Sequence, residues 1–201
     1  MIIIGITGPS GAGKGVCGAY LTSEGIPVID TDQLYHELIE APSPCVDELA
    51  LAFGSKILDE KGAVNRKALA DVVFAGQNQQ KIELLNQITH KFVRQKTERL
   101  LMEFDNCGTK AVAVDAPLLF EASFEELCDF CISVIAPHNI RLERIMERDS
   151  LSRERAIARL NAQKDDAYYT SRSKYTVVND KDLENVIGQL KRILKNEEVI
   201  S

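Results

Sequence analysis

Lys14 ends a run in which glycine recurs at positions 8, 11 and 13, and a run of isoleucines precedes it. Gly8-Pro9-Ser10-Gly11-Ala12-Gly13-Lys14 has the composition of a phosphate cradle. In such a loop the backbone amides surround the anion, the next helix adds positive potential at its N-terminus, and the lysine reaches the terminal phosphates. Ile2–Thr7 reads as a buried strand and residues 16–23 as a helix, the flanks this chemistry needs. An ordinary glycine-rich turn is the alternative. Gly11, Ala12, Gly13, Lys14, Gly15 and Val16 are therefore the candidate residues for binding a nucleotide's phosphates. One position departs from the pattern. The residue after the lysine usually carries a hydroxyl for Mg²⁺, and here it is Gly15, so water or another side chain must fill that position.

Other polar residues stand where strands end. Ile29-Asp30-Thr31-Asp32 puts two carboxylates just past a short strand. Asp32 can orient an acceptor hydroxyl and take its proton, or it can simply cap the next helix. Asp115 closes an apolar strand, where it can hold Mg²⁺ and compensate for Gly15, or serve as a strand-end cap. Pro117-Leu118-Leu119-Phe120-Glu121 follows at once. Leu-Leu-Phe at a ligand edge suits an apolar part of a substrate, and a plain packed loop is the other reading. Arg141, Arg144 and Arg148 share a helical face, with Arg153, Arg155 and Arg159 beyond. They read as a mobile lid closing on phosphates, or as a solvated face paired with Glu143 and Glu147. His90 alone reads as a partly exposed helical histidine.

These groups need a frame that gathers them. Strands at 2–7, 27–30, 110–115, 130–136 and 175–179 alternate with helices at 16–23, 32–39, 66–74, 79–104, 139–149, 152–163 and 183–196. Residues 41–62, broken by Pro42, Pro44, Gly54 and Gly62, read as helical connections. Alternation of this kind predicts an α/β fold with a parallel sheet of about five strands, covered on both faces, and ligands at the C-terminal strand ends. Asn179 stands at such an end.

The chain has 201 residues, 45% hydrophobic and 27% charged, which suits one domain with a sizeable core. A net charge of −6 argues against nucleic acid or an anionic membrane as partner. No apolar run approaches the roughly 18 residues of a membrane span, and no signal peptide is expected. Five scattered cysteines point to reduced thiols and a cytoplasmic location. Cys128 and Cys131 have redox or zinc-like spacing but lack a second pair, so packed thiols beside a strand are expected. Oligomeric state is not legible, and the acidic end from Asn196 to Ser201 reads as frayed.

The combination resembles the dephospho-coenzyme A kinases, P-loop kinases of coenzyme A biosynthesis, from residue 1 to about 190. The resemblance rests on the loop, Val28-Ile29-Asp30-Thr31-Asp32, Asn65-Arg66-Lys67-Ala68-Leu69 with Val73-Phe74, Ile88-Thr89-His90, Pro117–Glu121, Arg144 through Arg148-Asp149, Gln163, and Val177-Val178-Asn179. It implies a P-loop NTPase-type three-layer sandwich forming one kinase domain, with a helical acceptor-binding region at 60–105 and a lid at 140–170. It implies ATP and dephospho-coenzyme A as substrates and Mg²⁺ as cofactor. Asp32 matches the general base; with Lys14, Arg144 and Arg148 it makes the expected catalytic set. Arg66, His90, Leu118, Leu119 and Glu121 match the acceptor site, and Asn179 falls near the adenine pocket. Gly15, Lys91 and Ser173-Lys174 depart from the family pattern. Two other functions stay open: a P-loop kinase for another small acceptor, such as a nucleoside monophosphate, and a nucleotide-binding protein weakened by Gly15. The absence of a basic cluster beside Asp32 counts against the first.

Overall fold

A computed structural model describes residues 1–200, apart from the side chain of Gln77. In chain order the elements are β1 (Ile2–Thr7), α1 (Lys14–Ser23), β2 (Val28–Asp30), α2 (Thr31–Ile39), α3 (Pro44–Phe53), α4 (Arg66–Val73), α5 (Gln79–Asn106), β3 (Ala111–Asp115), β4 (Phe130–Ile135), α6 (His138–Asp149), α7 (Arg153–Asn161), α8 (Asp166–Thr170), β5 (Tyr175–Val178) and α9 (Leu183–Asn196). The chain divides into two compact units, Met1–Asp30 with the residues from Met102 onward, and Thr31–Leu101.

The first unit holds a five-stranded sheet in the order β2-β3-β1-β4-β5, parallel throughout. Parallel strands buried on both faces require nearly continuous apolar sequence, and Ile-Ile-Ile-Gly-Ile and Ala-Val-Ala-Val supply it. On one face Ile4, Ile6, Ala113, Ile132, Val134 and Val177 pack with Cys17 and Leu21 of α1 and Val186, Leu190 and Leu194 of α9. On the other, Gly5 leaves room for Leu119, Cys128 and Cys131, whose atoms lie 3.0–3.1 Å from where its Cβ would stand. β1 is central, with β3 and β4 on either side, so the loop that follows it lies where the strand order diverges.

The second unit is helical. Ile39, Val46, Leu49, Phe53, Ile57, Leu69, Val73 and Ile88 form its core, and a single antiparallel bridge joins Leu58 to Val64. The stretch 41–62 is helical and broken, as expected: α3 fills Pro44–Phe53 and stops at Gly54, a single 3-10 turn spans Ser55–Ile57, and the chain turns again at Gly62. Ser43 Oγ accepts from Val46 N–H, and Pro44 occupies the first turn, where its missing N–H costs no hydrogen bond.

The acidic end is a correction: it is docked rather than frayed. Val199 and Ile200 pack on the main core, and Glu197 accepts from the Tyr175 hydroxyl and pairs with Lys174 at 2.6 Å. Ser201 lies outside the described residues. Lys174 also lies over the Phe130 and Tyr175 rings, which gives this departure from the family pattern a local role.

Candidate active site

The glycine loop leaves β1 and enters α1 at Lys14. Gly13 occupies the capping position in a left-handed conformation, φ 100°, and no side chain caps α1. Early amides at an uncapped helix start are the groups an anion uses. Lys14 Nζ lies 4.0 Å from Asp115 Oδ1, and both side chains are 17% exposed. The lysine and the strand-end carboxylate therefore share one partly desolvated spot. Cys17, one turn into α1, is pushed up to about 12 by burial, helped by Asp115 and opposed by Lys14.

Side chains remote in sequence hold the loop's carbonyls. Arg141 Nε donates to Ser10 O at 3.1 Å. Arg144 Nη1 donates to Gly11 O at 3.2 Å and Ala12 O at 3.4 Å, and its Nη2 donates to Asn179 Oδ1 at 3.1 Å. Asn179 Nδ2 donates to Ala12 O at 2.9 Å. Arg148 is bonded to Asp149 and reaches Ser10 Oγ at 3.4 Å. Arg144 and Arg141 thus turn toward the loop, and neither pairs with Glu143 or Glu147 among the described residues. The closeness leaves no space for side chains. A Cβ on Gly13 would meet Asn179 Nδ2 at 2.1 Å, and one on Gly11 would meet Arg141 O at 2.7 Å, each at positive φ. Gly15 is the exception, since a Cβ there meets nothing within 4 Å.

Mg²⁺ takes oxygen ligands and commonly keeps several waters, with one or two carboxylates and the substrate phosphates completing its shell. Asp115 supplies a suitable oxygen beside the loop, and position 15 supplies none. No group of three or more His, Cys, Asp or Glu among the described residues is arranged to hold a metal. The donor set therefore fits an ion held largely by nucleotide and water, and does not fit a protein-built cage.

The segment after β3 splits in two. Leu118 is 46% exposed and free to touch a ligand, whereas Leu119 is fully buried and packs on Gly5. Leu119 serves the core and offers no side-chain surface, which corrects its expected place in the acceptor site. Phe120 meets Tyr168 of α8 edge to face at 6.1 Å. Burial raises the Tyr168 hydroxyl, and the charge of Glu121 and a hydrogen bond to it add to the shift. Arg172 and Lys164 lie over the Tyr168 ring.

The remaining expected residues belong to the second unit. Asp32 is exposed in the first turn of α2, inside the helix rather than at its capping position, where the helix dipole favours a carboxylate. Arg66 opens α4 behind the Asn65 cap, and its charge is felt by Tyr35 of α2, whose hydroxyl is raised by burial and lowered by Arg66. His90 is half-buried in α5, and burial lowers its pKa. Lys91 pairs with Glu48 of α3.

A family model described as dephospho-CoA kinase matches residues 2–185. The chain belongs to the dephospho-CoA kinase family. A dephospho-CoA kinase of Moorella thermoacetica is 36% identical over 185 residues, covering 92% of this chain and 86% of that one. A crystal structure from Thermus thermophilus superposes with a TM-score of 0.79 at 33% identity, covering 97% of each chain. The dephospho-CoA kinase of Campylobacter jejuni gives a TM-score of 0.71 at 25% identity, covering 97% of this chain and 96% of that one. The fold is that of a P-loop NTPase, and the protein is a kinase with ATP as co-substrate.

For this kinase, reading the residues placed Arg141 among the lid arginines without separating it from Arg144 and Arg148, and gave Gln163 no role beyond the family resemblance. Arg141 shares the spacing of Arg144 and Arg148, so its difference was hidden. A usable signal was its position on the apolar face of α6, which buries Arg141, Leu142 and Ile145. The Cys128–Cys131 pair behaves as expected of packed thiols: the hydrogen bond to Cys131 and burial raise Cys128, and both sulfurs pack on Gly5.

Proposed function

We propose that this kinase transfers the γ-phosphoryl group of ATP to the ribose 3′-hydroxyl of dephospho-coenzyme A, giving coenzyme A and ADP, the last step of coenzyme A biosynthesis. The observation that carries the reading is a phosphate loop with its carbonyls already held, in a chain that matches the family over nearly its whole length. Lys14 and the amides of Gly11, Gly13, Lys14 and Gly15 hold the transferring phosphates, the Ala12 and Val16 amides being turned onto Pro9 O and Gly13 O, with Asn179 shaping the nucleotide side of the loop. Asp32 orients the acceptor hydroxyl and takes its proton. Arg66, His90, Leu118 and Glu121 line the acceptor. Arg144 and Arg148 offset the charge that develops on the phosphoryl oxygens. Asp115 would hold Mg²⁺, which when bound neutralises charge on the β- and γ-oxygens.

Residues 60–105 form the acceptor-binding region of a single kinase domain, and residues 140–170 its lid. Among the described residues no helix is long and apolar enough to cross a membrane. All five cysteines are free, which suits the reducing cytoplasm. A net charge of −6 disfavours nucleic acid as a partner.

The test is coupled ADP release with dephospho-coenzyme A, with nucleoside monophosphates and with no acceptor. Release with dephospho-coenzyme A alone supports the reading, and a preference for a monophosphate refutes it. Tight ATP binding without turnover on any acceptor would favour a protein weakened at Gly15. Asp32→Asn should lower turnover about a hundredfold or more while leaving ADP affinity nearly intact, as loss of a general base does. Near-normal turnover would reduce Asp32 to a helix-terminus residue.

A further inference from the structure

Ser10 is gripped at each of its polar atoms. Its N–H donates to Gln163 Oε1 at 3.1 Å, its carbonyl accepts from Arg141 Nε at 3.1 Å, and its Oγ accepts from Arg148 Nη2 at 3.4 Å. Arg141 and Gln163 also hold each other. Arg141 Nη2 donates to the same Gln163 Oε1 at 2.9 Å, and its Nη1 reaches Asp166 Oδ1 at 3.2 Å. Arg141 is 6% exposed. A guanidinium so buried must be fully paired, and here a backbone carbonyl, an amide and a carboxylate do so. Desolvation lowers its pKa and Asp166 opposes that shift, yet arginine remains charged in proteins.

The arrangement bears on phosphate binding through peptide planarity. In a trans peptide the N–H of one residue points opposite to the carbonyl before it. Holding Ser10 O on the α6 side therefore aims the Gly11 amide away from α6. Arg144 and Asn179 do the same for the Gly13 amide through Ala12 O. The Ala12 amide lies between them and closes onto Pro9 O at 3.2 Å. The loop amides are thus oriented by side chains that come from 131 to 167 residues away.

We propose that Arg141 and Gln163 are positioning residues for the phosphate loop, fixing the two peptide planes that meet at Ser10, Pro9–Ser10 through its N–H and Ser10–Gly11 through its carbonyl, so that ATP meets amides already oriented. The proposal rests on the kinase reading and assigns it a determinant of nucleotide affinity distinct from the residues given chemical roles above. Because both side chains grip Ser10, on the peptides either side of its Cα, and also bond each other, their effects are coupled.

The experiment compares Arg141→Met, Gln163→Leu, the double variant and Arg141→Gln with the unaltered protein. Calorimetry gives the ADP dissociation constant; kinetics give kcat and both KM values; thermal unfolding gives the midpoint. Arg141→Met and Gln163→Leu should each weaken ADP binding and raise the KM for ATP about tenfold, the scale of one hydrogen bond to a charged group. The KM for dephospho-coenzyme A should stay within about twofold, as expected for a loss confined to one substrate's binding. The double variant should lose less than the product of the single losses, the sign of a shared target. Arg141→Gln, which keeps one donor for Ser10 O, should recover part of the affinity. Unchanged ADP affinity in folded single variants overturns the proposal. So does an equal rise in both KM values with a lowered unfolding midpoint, which marks a merely structural role. If Arg141→Met does not fold, half-buried Gln163→Leu decides alone. Should the unaltered protein bind ADP and phosphorylate dephospho-coenzyme A while these variants bind normally, only the positioning role falls; an unaltered protein that binds no adenine nucleotide overturns both.

Discussion

The phosphate loop and the helical unit Thr31–Leu101 reach their order by different routes. The loop carries three glycines and one alanine between Gly8 and Gly13, so it has little side-chain volume to bury. Its conformation comes from polar partners: Arg141, Arg144 and Asn179 on the carbonyls, and Gln163 on an amide. The helical unit relies on apolar interlock, with Leu49, Ile57 and Val73 fully buried, and its polar bonds are largely caps and helix-surface pairs. An apolar core tolerates many side chains of the right volume. A hydrogen-bonded loop tolerates few, because each lost donor leaves a backbone group aimed differently. One unit is thus built to persist, and the loop is built to aim.

The largest expected effect attacks the aimed region. Lys14→Ala should lower kcat/KM for ATP about a thousandfold, because one charge serves both the bound nucleotide and the transition state. Calorimetry and initial rates check it, and unchanged values for both would remove the phosphate-loop assignment. Ile57→Ala attacks the packed unit and should cost about 2–5 kcal/mol in denaturant unfolding. A cost under about 1 kcal/mol would mean that apolar interlock is not what holds these helices. Gly15→Ser sharpens the contrast, since it alters the one loop-end glycine that nothing crowds. Restoring a hydroxyl should lower the Mg²⁺ concentration for half-maximal rate about five- to thirtyfold, and raise the metal-dependent part of ADP affinity likewise. Overlapping Mg²⁺ curves would show that Asp115 and water already suffice.

The smallest effect concerns His90. Burial lowers its pKa, so the folded chain takes up the proton less readily than the unfolded chain. Stability should therefore fall as pH drops through the ordinary histidine value of about 6.5 and continue to fall to the depressed one. His90→Gln should lose less of its unfolding midpoint between about pH 7 and about pH 5 than the unaltered protein does. Parallel profiles would indicate that His90 titrates normally.

Much of the frame was legible because its periodicities are strong. β1 and α9 begin and end at the residues expected, Ile2–Thr7 and Leu183–Asn196. Isoleucine runs and a sharply two-faced closing helix leave little choice. α3 was harder, since Pro42 and Pro44 look like breakers until Ser43 is recognised as the cap that places Pro44 in the first turn. α8 was not anticipated: five residues give no period, and it forms because Asp165 caps it and Tyr169 is buried. In the site, loop and strand-end residues were visible as types at spacings. Which arginine goes inward was not, because Arg141, Arg144 and Arg148 differ only in what the fold brings opposite them. Leu118 and Leu119 pose the same problem, being neighbours of one type with opposite exposure.

The uneven burial of the thiols has a practical side. Cys17 is buried with its pKa near 12, Cys45 is buried with its pKa near 11, and Cys128 and Cys131 hold each other against Gly5. Cys107 alone is exposed. It lies in the turn after α5, just before β3 begins, and so at the N-terminal ends of the strands, opposite the end that carries the phosphate loop. A maleimide dye added to the native protein at neutral pH should settle there, giving a singly labelled molecule whose fluorophore stands clear of the nucleotide.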